Sequence, residues 1–108
     1  MSLDVYLEAT VPTVVFDYNI THNLGKMAAA AGIYEYLWRP DERRDVEKAG
    51  DLIEPLEDGL YRLKQLPTHF SKYDAPNGWG VYNHLVEFVE KYLEACREYP
   101  DAEIGVWR

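Results

Sequence analysis

The sequence lacks the features that mark disulfide-linked, secreted and membrane-spanning proteins. It contains one cysteine, Cys96, so an intramolecular disulfide and a cysteine-based zinc site are excluded. No segment approaches the roughly 18 consecutive apolar residues of a membrane span, and the N-terminus has no basic stretch followed by an apolar run. We therefore expect a cytoplasmic protein with no signal peptide and no membrane contact.

Residue types and spacings that support catalysis or cofactor binding are also scarce. The two serines do not lie in nucleophile-elbow sequences, and Cys96 falls on the apolar stripe of a predicted helix, where a structural thiol is expected. The three histidines are far apart along the chain, and no glycine-rich loop precedes a helix. We therefore expect no metal ion and no cofactor, and we favour a protein that is not an enzyme. A pair of carboxylates among the 19 acidic residues stays open as an alternative.

Acidic residues outnumber basic ones by 19 to 11, and the resulting net charge of −8 is distributed evenly. Counted from the sequence, the charge is −2 over residues 1–40, −3 over 41–66 and −3 over 67–108. Because no basic block is present, binding to nucleic acid or to an anionic membrane is not expected. Dispersed acidity usually serves solubility, and mimicry of nucleic acid is a weaker alternative. The 108 residues and the 47% hydrophobic content predict a single domain over residues 1–108.

Three segments near the chain ends have residue patterns that are typical of strands. Residues 3–9 alternate between apolar and polar, and residues 13–20 are rich in valine and aromatic side chains. Pro12 cannot donate to a sheet ladder, so a turn at residues 10–12 and an antiparallel hairpin are predicted. Residues 102–107 alternate again and predict a third strand.

Two short helical segments follow the predicted hairpin. Thr21 is a suitable N-cap, because its hydroxyl can accept a hydrogen bond from the first turn of a helix over residues 24–31. Gly32 is expected to end or interrupt this helix, and residues 33–38 then form one or two further turns.

Two longer helices are predicted from apolar residues at spacings of three and four, over residues 46–63 and from near Trp79 to residue 98. Pro55 lies within the first of these and should kink or restart it. The predicted fold class is α+β. A small antiparallel sheet, made of the N-terminal hairpin and the C-terminal strand, is covered on one face by about three to four helices.

The sequence offers three candidate ligand-binding segments. Together they contain Asn19, Thr21, His22, Asn23, Trp38, Arg39 and Trp79. In residues 19–23 a strand gives way to a helix, whose first N–H groups and polar side chains suit an anion or a polar ligand. The alternative is that these residues only cap the helix and form a turn.

The other two segments centre on tryptophan. Arg39 follows Trp38 and can stack on it or bind a carboxylate, or Trp38 can pack at the margin of the core while Arg39 pairs with a nearby acid. Trp79 lies between two glycines that suit a small binding loop. The same glycines suit a turn in which Trp79 fills the core.

Four short motifs give the chain a resemblance to a known group of proteins. They are Asn-Ile-Thr-His-Asn-Leu at 19–24, Leu-Trp-Arg-Pro at 37–40, Asn-Gly-Trp-Gly at 77–80 and Tyr-Pro-Asp-Ala-Glu at 99–103. On these motifs, nearly the whole chain resembles a family of small uncharacterised proteins of bacteria and their phages or prophages. The resemblance implies a bacterial or phage setting and assigns no activity or site residue.

We therefore favour a non-enzymatic accessory protein that acts by contact with an unidentified protein partner, with homo-oligomer formation through a free strand edge as a further alternative. The competing hypothesis is a small-ligand-binding protein or minor enzyme, with a pocket around residues 19–23 and Trp38–Arg39 that also includes Trp79. This hypothesis requires His22, Asn23 and Arg39 to converge on one concave surface.

Overall fold

The computed structural model describes residues 2–9 and 13–108. The strands are β1 (Ser2–Glu8), β2 (Val14–Thr21) and β3 (Glu103–Trp107), and the α-helices are α1 (Gly25–Ala30), α2 (Tyr34–Trp38), α3 (Ile53–Gln65), α4 (Pro67–Phe70) and α5 (Tyr82–Glu98). Short 3₁₀ helices cover His22–Leu24, Pro40–Glu42, Ala49–Leu52 and Ser71–Tyr73. The predicted α+β class is confirmed, whereas the turn predicted at residues 10–12 lies outside the described residues.

β1 is the central strand of the sheet, and both neighbours run antiparallel to it in the order β2-β1-β3. The alternation along β1 separates two faces, as the sequence predicts. Leu3, Val5 and Leu7 face the helices and are at most 1% exposed. On the opposite face Asp4 is exposed and Tyr6 is only partly buried. One face of the sheet therefore forms the core, and the other carries solvent-accessible side chains.

Helix α5 packs against both α3 and β2 and forms the centre of the core. Its Phe88 and Tyr92 stack on each other, with centroids 5.5 Å apart, and contact aromatic side chains of β2. Phe16 stacks on Tyr92 at 5.5 Å, and Tyr18 lies 5.2 Å from Phe88. Cys96 is fully buried, and this burial raises the pKa of its thiol to about 12. The protonated, buried thiol packs as an apolar side chain, in keeping with a structural role.

The helix predicted over residues 46–63 begins later than its apolar spacing indicates. α3 starts at Ile53, after the 3₁₀ turn Ala49–Leu52, and the residues just before that turn are not helical. The N–H of Ala49 donates to the carbonyl of Ala102 at 3.0 Å, so the C-terminal chain holds this segment in place. Pro55 is the third residue of α3, where the first-turn N–H has no intrahelical partner to lose. Because no α-helix directly precedes Ile53, Pro55 neither kinks nor restarts a helix and lies instead in the first turn of α3.

Helix α5 begins at Tyr82 and not near Trp79, because Gly78 and Gly80 have φ values of +78° and +106°. Such values are incompatible with a right-handed helix, so residues 74–81 form a loop. The N–H of Tyr82 donates to Asp74 Oδ1 at 2.7 Å and closes this loop onto the start of α5. Among the described helices, none combines the length and the apolar composition that crossing a bilayer requires.

Candidate ligand-binding groove

A concave groove of about 600 Å³ lies between the end of β2, the loop at residues 74–81 and the first turns of α5. Four of the seven predicted site residues line it, namely Asn19, Thr21, Asn23 and Trp79. We call this surface the Trp79 groove. Its walls come from segments more than fifty residues apart in sequence, so the chain fold brings them together.

One wall of the groove is the turn that leads out of β2. Thr21 Oγ1 accepts a hydrogen bond from the N–H of Asn23 at 3.2 Å, which confirms the predicted N-cap. The side chain of Asn23 reaches the facing loop, where its Nδ2 donates to the carbonyl of Trp79 at 2.9 Å. The cap and the loop are therefore tied to each other by one asparagine.

The facing wall is the loop around Trp79. Asn77 Oδ1 accepts from the N–H of Trp79 at 3.0 Å, which fixes the turn from within. A Cβ on Gly80 would lie 3.0 Å from both Asn23 Cβ and Thr21 Cγ2, so the absence of a side chain lets the loop approach the capping turn. The indole of Trp79 is 71% exposed. It does not fill the core, which was the alternative interpretation of this segment.

Asn19 extends the groove along β2. Its Nδ2 donates to Ser2 Oγ at 2.9 Å and to Asp4 Oδ1 at 2.7 Å, both on the neighbouring strand. These two bonds fix the amide plane and orient the side chain. Asn19 is thus a rigid polar group at the rim and not a free turn residue.

His22 and Trp38 form an interior pair that lies away from the Trp79 groove. Trp38 is 1% exposed, stacks on Tyr34 with centroids 5.1 Å apart, and donates from Nε1 to His22 Nδ1 at 2.8 Å. His22 Nε2 is buried and has no hydrogen-bond partner among the described residues. The ring of His22 also borders an adjoining depression of about 560 Å³, which shares Asn23 and Asn77 with the Trp79 groove.

Arg39 lies apart from both depressions. Its Nη1 donates to Glu42 Oε2 at 2.6 Å, and the two side chains are 43% and 52% exposed. This is the local ion pair that the simpler interpretation of Arg39 predicts. The convergence of His22, Asn23 and Arg39 on one concave surface, which the ligand-pocket hypothesis requires, is therefore not formed, although Trp38 does contact His22. The groove instead joins Asn19, Thr21 and Asn23 to Trp79.

Further groove residues were not among the predicted candidates. His84 and Glu87 lie one helical turn apart in α5 and contribute polar groups. His84 Nδ1 accepts from the N–H of Val81 at 3.3 Å, so a neutral ring carries its proton on Nε2. Glu87 Oε1 lies 2.9 Å from Lys91 Nζ, and this contact raises the pKa of Lys91. Their spacing was visible in the sequence, but helical periodicity alone assigns them to a solvated face.

The groove offers hydrogen-bonding groups, an exposed indole and the ionisable side chains of His84 and Glu87. Within residues 2–9 and 13–108, no three His, Cys, Asp or Glu side chains cluster in an arrangement that could hold a metal ion. The buried thiol of Cys96 is not part of the groove. Comparison of the chain with protein-family models, with curated proteins and with solved structures found no match to any of them.

Proposed function

We propose that the protein is a non-catalytic binding protein whose small-molecule ligand occupies the Trp79 groove. The observation that carries this proposal is the convergence of two distant segments on one concave surface of about 600 Å³, with Asn19, Thr21 and Asn23 from one and Asn77, Trp79 and Gly80 from the other. Small-molecule sites typically have volumes of roughly 300–1,000 Å³ and combine apolar or aromatic contact area with a few oriented polar groups.

The exposure of Trp79 supports a binding role over a structural one. An indole that is 71% exposed contributes little to core burial, yet its backbone is held at both the N–H and the carbonyl. A large aromatic side chain on a fixed backbone loses little entropy when a ligand packs on it, and tryptophan is enriched at binding surfaces for this reason. The groove polar groups are likewise held by internal hydrogen bonds, which favours binding without rearrangement.

The test is a ligand screen read out at a single residue. The chain has three tryptophans, and Trp107 is 69% exposed on the sheet, close to the 71% of Trp79. In ¹⁵N-labelled protein, members of a diverse small-molecule library should shift the indole N–H signal of Trp79 saturably and leave that of Trp107 unchanged. Trp79→Ala should abolish the effect on the remaining groove signals, whereas Trp107→Ala should preserve it. A library with no hit at Trp79 contradicts the proposal.

A second candidate function is contact with a protein partner through the open face of the sheet. The ring of Tyr6 lies directly over Gly105, where a Cβ would overlap it, and exposed Trp107 is on the same face. Asp17 is opposite Tyr6, and Glu103 lies at the other edge. Neither carboxylate forms an ion pair with any described residue, so a partner with basic side chains complements this face.

This second function is tested by affinity capture, in which the partners retained by the wild-type protein are compared with those retained by two matched variants. Trp107→Glu changes the sheet face and Trp79→Glu changes the groove, and both residues are similarly exposed. A genuine sheet-face partner is retained by wild-type protein and by Trp79→Glu but lost by Trp107→Glu. Equal retention by all three proteins rules this surface out. A cytoplasmic location, a bacterial or phage setting and self-association remain parts of the proposal, and light scattering at several concentrations tests the last of these.

A further inference from the structure

The Trp79 groove has little net charge. Its described lining contains no lysine or arginine, and its one carboxylate, Glu87, is paired with Lys91. At the start of α5, the N–H of Tyr82 is already used, because it donates to Asp74 Oδ1. The N–H of Val81 is similarly used by His84 Nδ1. An anionic ligand such as a phosphate ester therefore lacks the basic side chains that usually bind it.

Three asparagines supply both acceptors and donors from fixed positions. Asn19 and Asn23 each use Nδ2 within the protein, which leaves each Oδ1 as an acceptor, while Asn77 uses Oδ1 and keeps Nδ2 as a donor. None of the three remaining amide atoms has a hydrogen-bond partner in the described part of the chain. Because one end of each amide is already bonded, a ligand meets oriented groups at low entropic cost.

Trp79 supplies the largest exposed aromatic side chain among the described residues of the groove. Tyr18 also lines the groove, but its ring is packed against Phe16 and Phe88, with centroids 6.2 and 5.2 Å away. The indole of Trp79 is therefore the main stacking surface, and the exposed imidazole of His84 is a smaller ring in the same lining. A sugar ring matches this arrangement, because it has an apolar C–H face on one side and hydroxyl groups at its edge that both donate and accept.

The adjoining depression extends this surface. It shares Asn23 and Asn77 with the Trp79 groove and adds one basic and one acidic side chain, Lys26 and Asp74. Because these two charges are opposite, the extended surface gains no net charge. Two adjacent depressions of about 600 and 560 Å³ suit a chain of linked rings better than one ring. We propose that the Trp79 groove binds a neutral oligosaccharide; this inference rests on the proposed function of the groove as a ligand site.

The experiment uses three classes of probe on the full chain. Neutral trisaccharides (maltotriose, cellotriose and N,N′,N″-triacetylchitotriose, supplemented by a glycan array) are compared with adenosine and uridine and with a short uncharged peptide. Binding is followed by the Trp79 and Trp107 indole N–H signals and by calorimetry. We expect a saccharide to shift the Trp79 signal alone. Trp79→Ala should weaken its binding by about tenfold or more, and Asn77→Ala by several-fold, while Trp107→Ala leaves the affinity unchanged.

The outcomes separate the two levels of the proposal. If a nucleoside or the peptide binds at Trp79 and no saccharide does, the ligand class is wrong and the groove remains a binding site. If neither these probes nor the small-molecule library shifts the Trp79 signal, both the ligand class and the proposed function fail. A saccharide whose affinity is unchanged by Trp79→Ala also overturns the inference, because its site is then elsewhere. Circular dichroism of each variant establishes that a loss of binding is not a loss of fold.

Discussion

The close approach of the Trp79 loop to the capping turn can be tested with two glycine substitutions in the same loop. Gly78 and Gly80 both have positive φ, +78° and +106°. A Cβ on Gly78 would meet no atom within 4 Å, whereas a Cβ on Gly80 would lie 3.0 Å from Asn23 Cβ and Thr21 Cγ2. Gly78→Ala therefore measures backbone strain alone, and Gly80→Ala measures strain together with the forced separation of the groove walls.

The expected magnitudes follow from these two contributions. An L-residue in a left-handed conformation costs roughly 1–2 kcal/mol, so Gly78→Ala should lower the free energy of unfolding by about that amount. Crowding of a packed contact adds roughly 1–3 kcal/mol, which gives about 2–5 kcal/mol for Gly80→Ala. Since 1 kcal/mol corresponds to about 4–8 °C in a small domain, the melting temperature of Gly80→Ala should fall by about 10 °C or more.

Urea denaturation and thermal melting measure the stabilities, and the Trp79 indole signal reports the loop. Gly80→Ala should also weaken the bond from Asn23 Nδ2 to the Trp79 carbonyl, so the signals of Trp79 and of the Asn23 side-chain amide should both shift. Gly78→Ala should leave the Asn23 amide unchanged. The interpretation of the loop is refuted if the two variants have equal stability, or if Gly80→Ala leaves the Asn23 amide signal in place.

Three further predictions concern the core and the sheet. Trp38→Phe and His22→Phe each leave one atom of the buried Trp38–His22 hydrogen bond unpaired, so each should lower the free energy of unfolding by about 1–3 kcal/mol. In a double-mutant cycle measured by urea denaturation, the two substitutions should show a coupling energy of about 1 kcal/mol. A coupling energy of zero contradicts the hydrogen bond. Burial raises the pKa of Cys96 from 9.0 to about 12, so the unfolded chain loses its thiol proton first as the pH rises. The free energy of unfolding should then fall by up to about 4 kcal/mol between pH 9 and 12, and it should fall by less in Cys96→Ala. Identical pH profiles of the two proteins contradict a contribution from the raised pKa of Cys96. Gly105→Ala should lower the melting temperature because its Cβ overlaps the Tyr6 ring, and adding Tyr6→Ala should restore part of the loss; no recovery counts against that contact.

The strands and the first cap were predictable because their signals are local. Alternation along residues 3–9 directly encodes which side chains of β1 face the core, and Leu3, Val5 and Leu7 are buried as it indicates. Thr21 needed only its own hydroxyl and an N–H two residues later. No knowledge of the tertiary fold was necessary for either prediction.

The start of α3 was not predictable, because long-range contacts override the local pattern. Val46 and Ala49 are buried and have the spacing of a helix face, but their backbone is not α-helical. Lys48 instead forms a bridge with Glu103, and the N–H of Ala49 donates to Ala102. Buried side chains at spacings of three are compatible with more than one backbone path, and the C-terminal chain selects this one.

Only some of the residues that line the groove were predictable, because the sequence pattern does not indicate in which direction each side chain of a turn points. Thr21 and Asn23 reach the groove, whereas His22 turns inward to Trp38 and Arg39 turns to Glu42. Neighbouring residues in a turn point in different directions, so a polar segment does not act as one unit. The pairing of Asn23 with the Trp79 loop spans 56 positions and has no local signal.

Helix capping and ligand binding are compatible roles for residues 19–23 in this structure. Capping occupies the hydroxyl oxygen of Thr21 and the backbone N–H of Asn23, while the side chain of Asn23 is left to hold the carbonyl of Trp79. That second bond uses Nδ2 alone, so Oδ1 stays available beside an exposed indole. The cap therefore does not consume the groups a ligand would need; it fixes them in position. A substitution that weakens the cap should accordingly disturb the groove as well as the helix, which is a property of a preorganised site.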